Sequence, residues 1–224
     1  MENRETLVDR LRTAIVHGEL FPGQRLVEVD LAAAFGSSRG SVREALVMLE
    51  NEGLVIRERN RGASVRPISL REAIEITEVR AVVEGLCARK AASAIGAEDR
   101  RRLQKLAKAM RAAVKAGDIA AYNDISQESH HVIRELGDQR TAVEVLERLR
   151  YPSVRYQFQV SLLPGRIEEG LAEHVSVIEA VASGDGDRAE AAMRAHLSSL
   201  VGSLQKLSEL GGLPKTTLGR TPAS

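Results

Sequence analysis

The chain has 224 residues, enough for one large domain or two small ones, and with 43% hydrophobic, 28% charged and only 3% aromatic residues it reads as a helical globular protein rather than a β sandwich. A net charge of +1 leaves nucleic-acid binding, if present, to a local patch. The single cysteine, Cys87, excludes an internal disulfide framework, and without a membrane-length apolar run or a signal-peptide pattern the expected address is the cytoplasm.

Leu7, Leu11 and Ile15 recur at helical spacing, Gly18 supplies a stop, and Phe21-Pro22-Gly23 makes a turn. A short helix is predicted over 28–35, broken by Gly36-Ser37-Ser38. A third helix carries Val42, Ala45, Leu46 and Leu49 on one face. Ser41 with Glu44 offers it a capping box, or it begins as early as Ser38. Leu54-Val55-Ile56 and Ala63-Ser64-Val65 read as two strands around a turn, and the unit closes near Pro67. Three helices followed by a small hairpin make a winged helix-turn-helix over 1–68. From Ser69, which forms a capping box with Glu72, the pattern is helical throughout. Helices are predicted to about Ile95, then over 98–116, 119–136, 139–162 with a kink at Pro152, 167–183 and 187–210. The expected organisation is mainly α, with a helical bundle over 69–210 and a disordered tail over 211–224.

Two constellations carry chemistry. Ser38, Arg39, Ser41 and Arg43 crowd the first turn of the third helix, where a recognition helix places its long polar side chains. The hairpin adds Arg57, Arg59 and Arg61, and Gly62 allows a tight tip for a minor groove. By composition alone this face suits DNA or a protein partner. The second constellation is histidine. His174 and His196 each lie eleven residues from Asp185, the centre of a predicted turn, so antiparallel helices bring them to one level. With His130 they form either a site for Zn²⁺ or another divalent transition metal, or a set of polar core groups.

The segment from Leu11-Arg12-x-Ala14-Ile15 through Pro22-Gly23, Gly36-x-Ser38-Arg39-x-x-Val42-Arg43-Glu44-Ala45-Leu46 and Asn60-Arg61-Gly62-Ala63-x-Val65 resembles the DNA-binding domain of GntR-type regulators. It departs at Gly40-Ser41, where the family usually has Thr-Pro. Glu78-Val79-Arg80-x-x-x-Glu84, His130-x-x-Ile133, Glu173-His174-x-x-Val177 and Ala192-Met193-Arg194-x-His196 resemble the FCD effector domain of the FadR-type subfamily. The resemblance implies a transcription regulator rather than an enzyme, dimeric on an inverted-repeat operator. It implies Arg39 and Arg43 at bases or phosphates and Arg61-Gly62 at the minor groove. It also implies metal ligation by His130, His174 and His196, with Ser126 standing where the family has Asp or Asn. Finally, it implies a small carboxylate effector met by Arg80, with Arg155 reaching in from the kinked helix.

Overall fold

The computed structural model describes residues 6–17, 19–58 and 62–209, except for the side chains of 16, 17, 58, 150–155 and 157–159. The wing tip at Arg59 and Arg61 and the tail expected over 211–224 lie outside the described residues. The N-terminal part runs α1 (Leu7–His17), β1 (Arg25–Leu26), α2 (Glu28–Phe35), α3 (Arg39–Asn51), β2 (Val55–Glu58) and β3 (Gly62–Val65). Its apolar core gathers Leu11, Leu31, Val42, Leu46, Leu49, Val55 and Val65. The strands pair antiparallel in the order β1-β3-β2, with Leu26 opposite Ala63 and Val55 opposite Val65. The sequence reading did not foresee β1, because two residues are too few to show a strand's alternation. Ser38, and not Ser41, caps α3. Its Oγ accepts from the Ser41 N–H at 3.1 Å, so the helix takes the earlier of its two predicted starts.

The remaining helices are α4 (Leu70–Ala94), α5 (Ala97–Ala116), α6 (Ile119–Gly137), α7 (Arg140–Ser161), α8 (Arg166–Ser183) and α9 (Gly186–Glu209). Ser69 Oγ accepts from the Glu72 N–H at 3.1 Å, but the Glu72 carboxylate turns to Arg66, so only one arm of the predicted box forms. The long α4 is central: it packs along α9 and also touches α6, α7 and α8. Leu103, Met110, Ile133, Ile178, Met193 and Leu197 fill the core between these helices. Helix α7 continues through Pro152, and the Tyr156 hydroxyl on it donates to the Ile68 carbonyl at 2.8 Å, where the two parts of the chain join.

Gly137 looks like a helix stop in the sequence, but the left-handed residue that ends α6 is Asp138, with φ of 44°. Glycine is needed at 137 for another reason. A Cβ there would lie 2.7 Å from the Cys87 carbonyl oxygen, against the backbone of α4. Gly137→Ala is therefore expected to destabilise the fold by about 1–3 kcal/mol, as overpacking against an immovable backbone does. A denaturant midpoint equal to wild type would show that α6 can shift away.

Candidate functional site

Helix α3 and the small sheet frame one cleft. Arg25 of β1, Arg39 of α3, Arg57 of β2 and Gly62 of β3 line it, together with Glu28. Arg39 opens the helix beside its free N–H groups and makes no hydrogen bond or ion pair with the described residues. Ser38 and Ser41 are engaged with each other, their hydroxyls 2.9 Å apart at the cap. Arg43 is held by Glu28 through two bonds of 2.9 and 2.7 Å, and Arg57 Nη2 donates to the Arg43 carbonyl at 3.2 Å. Of the expected DNA contacts, Arg39 and Gly62 face the cleft, Arg43 is shared with a carboxylate, and Arg61 lies outside the described residues. Arg25 was missed, since a lone arginine after a turn carries no signal of its own.

The second site lies in the bundle. Helix α6 presents Tyr122, Ser126 and His130 at four-residue spacing on its buried face, α8 presents Arg166, Glu173 and His174, and α9 presents His196. The candidate ligand atoms of His130, His174 and His196 lie within 4.8 Å of one another, and the rings of His174 and His196 stand 4.2 Å apart. All three histidines are buried. Each Nδ1 is already committed. His130 Nδ1 bonds Glu84 at 2.6 Å, His196 Nδ1 bonds Glu173 at 2.9 Å, and His174 Nδ1 bonds the Gly170 carbonyl at 2.7 Å. These acceptors require the proton on Nδ1, which leaves three Nε2 lone pairs as the donor set. That is how outer groups orient histidine ligands, so the residues fit a divalent transition metal. Ser126 Oγ lies 3.0 Å from His174 Nε2, placing a neutral hydroxyl where an anionic ligand would otherwise complete the set.

Two arginines support the carboxylates. Arg80 gives Nε and Nη2 to Glu84 at 2.9 and 2.7 Å, while its buried Nη1 has no partner among the described residues. Arg166 gives Nη1 and Nη2 to Glu173, and its buried Nε has no partner among the described residues. Burial pushes both carboxyls up, but the guanidinium and imidazole partners outweigh it. Glu84 is held well below the usual range, and Glu173 at about 2. Arg155 sits on α7, and its side chain lies outside the described residues. Sequence reasoning missed Tyr122 and Arg166. Their signals were present as Tyr122-x₃-Ser126-x₃-His130 and as the two-turn spacing from Arg166 to Glu173.

Burial pushes His130, His174 and His196 below the ordinary imidazole range, His174 to about 3, so all three rings are neutral at pH 7. The groups facing His174 are Tyr122, Ser126, His130, His196 and the Gly170 carbonyl and, through their charges, Glu173 and Arg166. An unfolded histidine takes its proton near the ordinary value of 6.5, whereas folded His174 does so only near 3. Unfolding therefore takes up protons below pH 6.5. This stability is complete above 6.5 and is lost as pH falls towards 3, at up to about 1.4 kcal/mol per pH unit for His174. Urea denaturation of chelator-treated protein at pH 7, 6 and 5 is expected to show this slope, and His174→Gln to reduce it. An identical slope in the variant would mean that His174 titrates normally.

A winged helix with an arginine-lined cleft, joined to a helical bundle with a buried donor cluster, is the build of a DNA-binding regulator with a sensing domain. Residues 3–65 match the bacterial regulatory proteins of the gntR family, and residues 75–199 match the FCD domain. The chain belongs to the GntR family of bacterial transcription regulators, in the group that carries an FCD effector-binding domain. It is 28% identical to the HTH-type transcriptional repressor RspR of Escherichia coli strain K12, over 89% of this chain and 87% of that one. It is 30% identical to the HTH-type transcriptional regulator LutR of Bacillus subtilis strain 168, over 83% and 94% of the two chains. The solved structure of E. coli McbR/YncC superposes with a TM-score of 0.77 at 20% identity, covering 90% of this chain and 96% of that one. Among the described residues, no helix is long and apolar enough to cross a membrane.

Proposed function

We propose that this chain is a cytoplasmic, homodimeric regulator in which a metal held by His130, His174 and His196 and a small carboxylate bound beside it control binding to a palindromic operator. The winged helix over 1–68 reads the DNA and the bundle over 69–210 senses the effector. The observation that carries this reading is the buried donor set: three Nε2 lone pairs with an unpartnered Arg80 Nη1 in the same helical domain. A divalent ion bound there supplies a Lewis-acidic contact for a carboxylate oxygen, and Arg80 supplies a charged hydrogen bond. Arg80 thus serves Glu84 and still has one donor to give. Dimerisation is supported by Val79, Val82 and Leu86, exposed apolar side chains along the outer face of α4. Among the described residues, the carboxylates beside the histidines, Glu84 and Glu173, are both bound to arginine rather than free to act as a general base.

Fluorescence anisotropy on a selected operator, titrated with carboxylates at fixed zinc, tests the reading. Arg80→Lys is expected to raise the concentration needed for half-release about tenfold, because lysine cannot hold Glu84 and a ligand at once. If the two release curves overlay, Arg80 is only the partner of Glu84. If no carboxylate shifts the curve of either protein, the sensing role is wrong.

A further inference from the structure

Helix α5 carries seven basic side chains and only two acidic ones, in a chain whose net charge is +1. Arg100, Arg101, Lys105, Lys108, Arg111 and Lys115 are all exposed. At 3.6 residues per turn they share an arc of about 140°, and at 1.5 Å per residue the stripe they form runs for roughly 22 Å. The opposite face of the helix, with Leu103, Ala107, Met110 and Ala113, is buried in the core. Acids from the two helices packed against α5 reach only its margins. Glu128 and Glu135 of α6 take Arg102, and Glu179 of α8 lies 3.9 Å from Arg111. The side chains of Arg100, Arg101, Lys105, Lys108 and Lys115 make no hydrogen bond or ion pair with the described residues.

Other bundle helices pair such arginines one turn away on the same helix: Arg71 with Glu75, Arg140 with Glu144 and Arg194 with Glu190. On α5 the neighbours one turn apart are like charges, as in Arg101 with Lys105 and Arg111 with Lys115. They repel and weaken the helix until an anion lies along them. A row of cations this long suits a polyanion better than a small ion, and duplex DNA carries about one phosphate per 1.7 Å of its axis. The winged helix already brings DNA to this chain. The flanks of a bound operator are tethered to the protein, so they meet the bundle at a far higher effective concentration than free duplex does. The winged helix meets the bundle at α7, whereas α5 packs on α6 and α8, so a flank reaches the stripe by bending. Added backbone contacts offset the cost of such a bend.

We propose that the α5 stripe is a second, sequence-independent DNA surface, which holds the phosphate backbone of the duplex flanking the operator. This rests on operator binding by the winged helix, which a short duplex measures by itself. Fluorescence anisotropy of the full-length protein over a range of salt concentrations tests it. A selected operator trimmed to the winged-helix footprint is compared with the same operator extended by about three helical turns (~30 bp) on each side. Wild type is expected to bind the extended duplex at least about tenfold more tightly at ~0.1 M salt. Its slope of log affinity against log salt is expected to be steeper by about 2–4, since each phosphate neutralised adds about 0.9. A variant combining Arg101→Gln, Lys105→Gln, Lys108→Gln and Lys115→Gln keeps good helix formers on an exposed face. It is expected to lose both differences while binding the short duplex as wild type does, which also shows that it is folded. Equal affinities and slopes on the two duplexes in wild type, or differences that survive in the variant, overturn the flank surface and leave operator binding standing. Equal weakening of both duplexes in the variant marks a general charge effect and also overturns it. So does capture of a separate, unlinked duplex by the operator complex with no gain from the extension. Failure of the short duplex to bind wild type overturns the operator reading, and the flank surface with it.

Discussion

Replacing His174 by alanine is expected to lower zinc affinity by more than about a hundredfold. Losing an outer-shell partner alone costs about 10–100-fold, and on the proposed reading His174 Nε2 is itself one of the three nitrogen donors of the cluster. The neighbouring group offers no substitute, since Ser126 has a neutral hydroxyl, a poor ligand for a divalent ion. Glu84→Gln is expected to fall in the milder range. It keeps an acceptor for His130 Nδ1–H but strips the charge that balances Arg80. Calorimetric zinc titration of protein purified without an affinity tag separates the two effects. Wild-type affinity in His174→Ala would mean that the cluster is a polar core rather than a metal site.

Arg39→Ala is expected to weaken specific DNA binding by about 1–3 kcal/mol, the worth of one good base or charged contact. Arg39 stands at the N-terminus of α3, lines the cleft and is unengaged among the described residues. Arg43→Ala is expected to do less. Glu28 holds that guanidinium through two hydrogen bonds, so Arg43 must share or break them to reach DNA. Anisotropy on matched and scrambled duplexes measures both variants. An Arg43 loss larger than the Arg39 loss would reverse this ranking and assign Glu28 the role of aiming Arg43 at a base.

Most of the helical plan was legible because its causes are local. Gly117 and the Gly184-Asp185-Gly186 turn bound helices whose apolar residues recur at 3.6-residue spacing, and the eleven-residue symmetry about Asp185 does bring His174 level with His196. What stayed hidden depended on partners distant in sequence. The pairing of Arg25 with Ser64 makes β1 a strand, and nothing within two residues announces it. Gly137 read as a stop because its close contact with Cys87 lies fifty residues away. The bonds of Glu84 to His130 and of Glu173 to His196 turn a motif into an oriented donor set. They could be suspected from residue types, but not aimed from them. Ser126 was legible as a departure from the family, and the structure adds that its hydroxyl faces His174.

Selection from a pool of random DNA duplexes by the purified full-length protein tests the central claim most directly. Two winged helices related by a two-fold axis demand matching half-sites in opposite orientation, with centres about one helical turn or a simple multiple apart. The expected result is enrichment of an inverted repeat, with Arg39→Ala losing that enrichment. Enrichment of a single half-site or a direct repeat, or none at all, would contradict a dimeric regulator reading a palindrome.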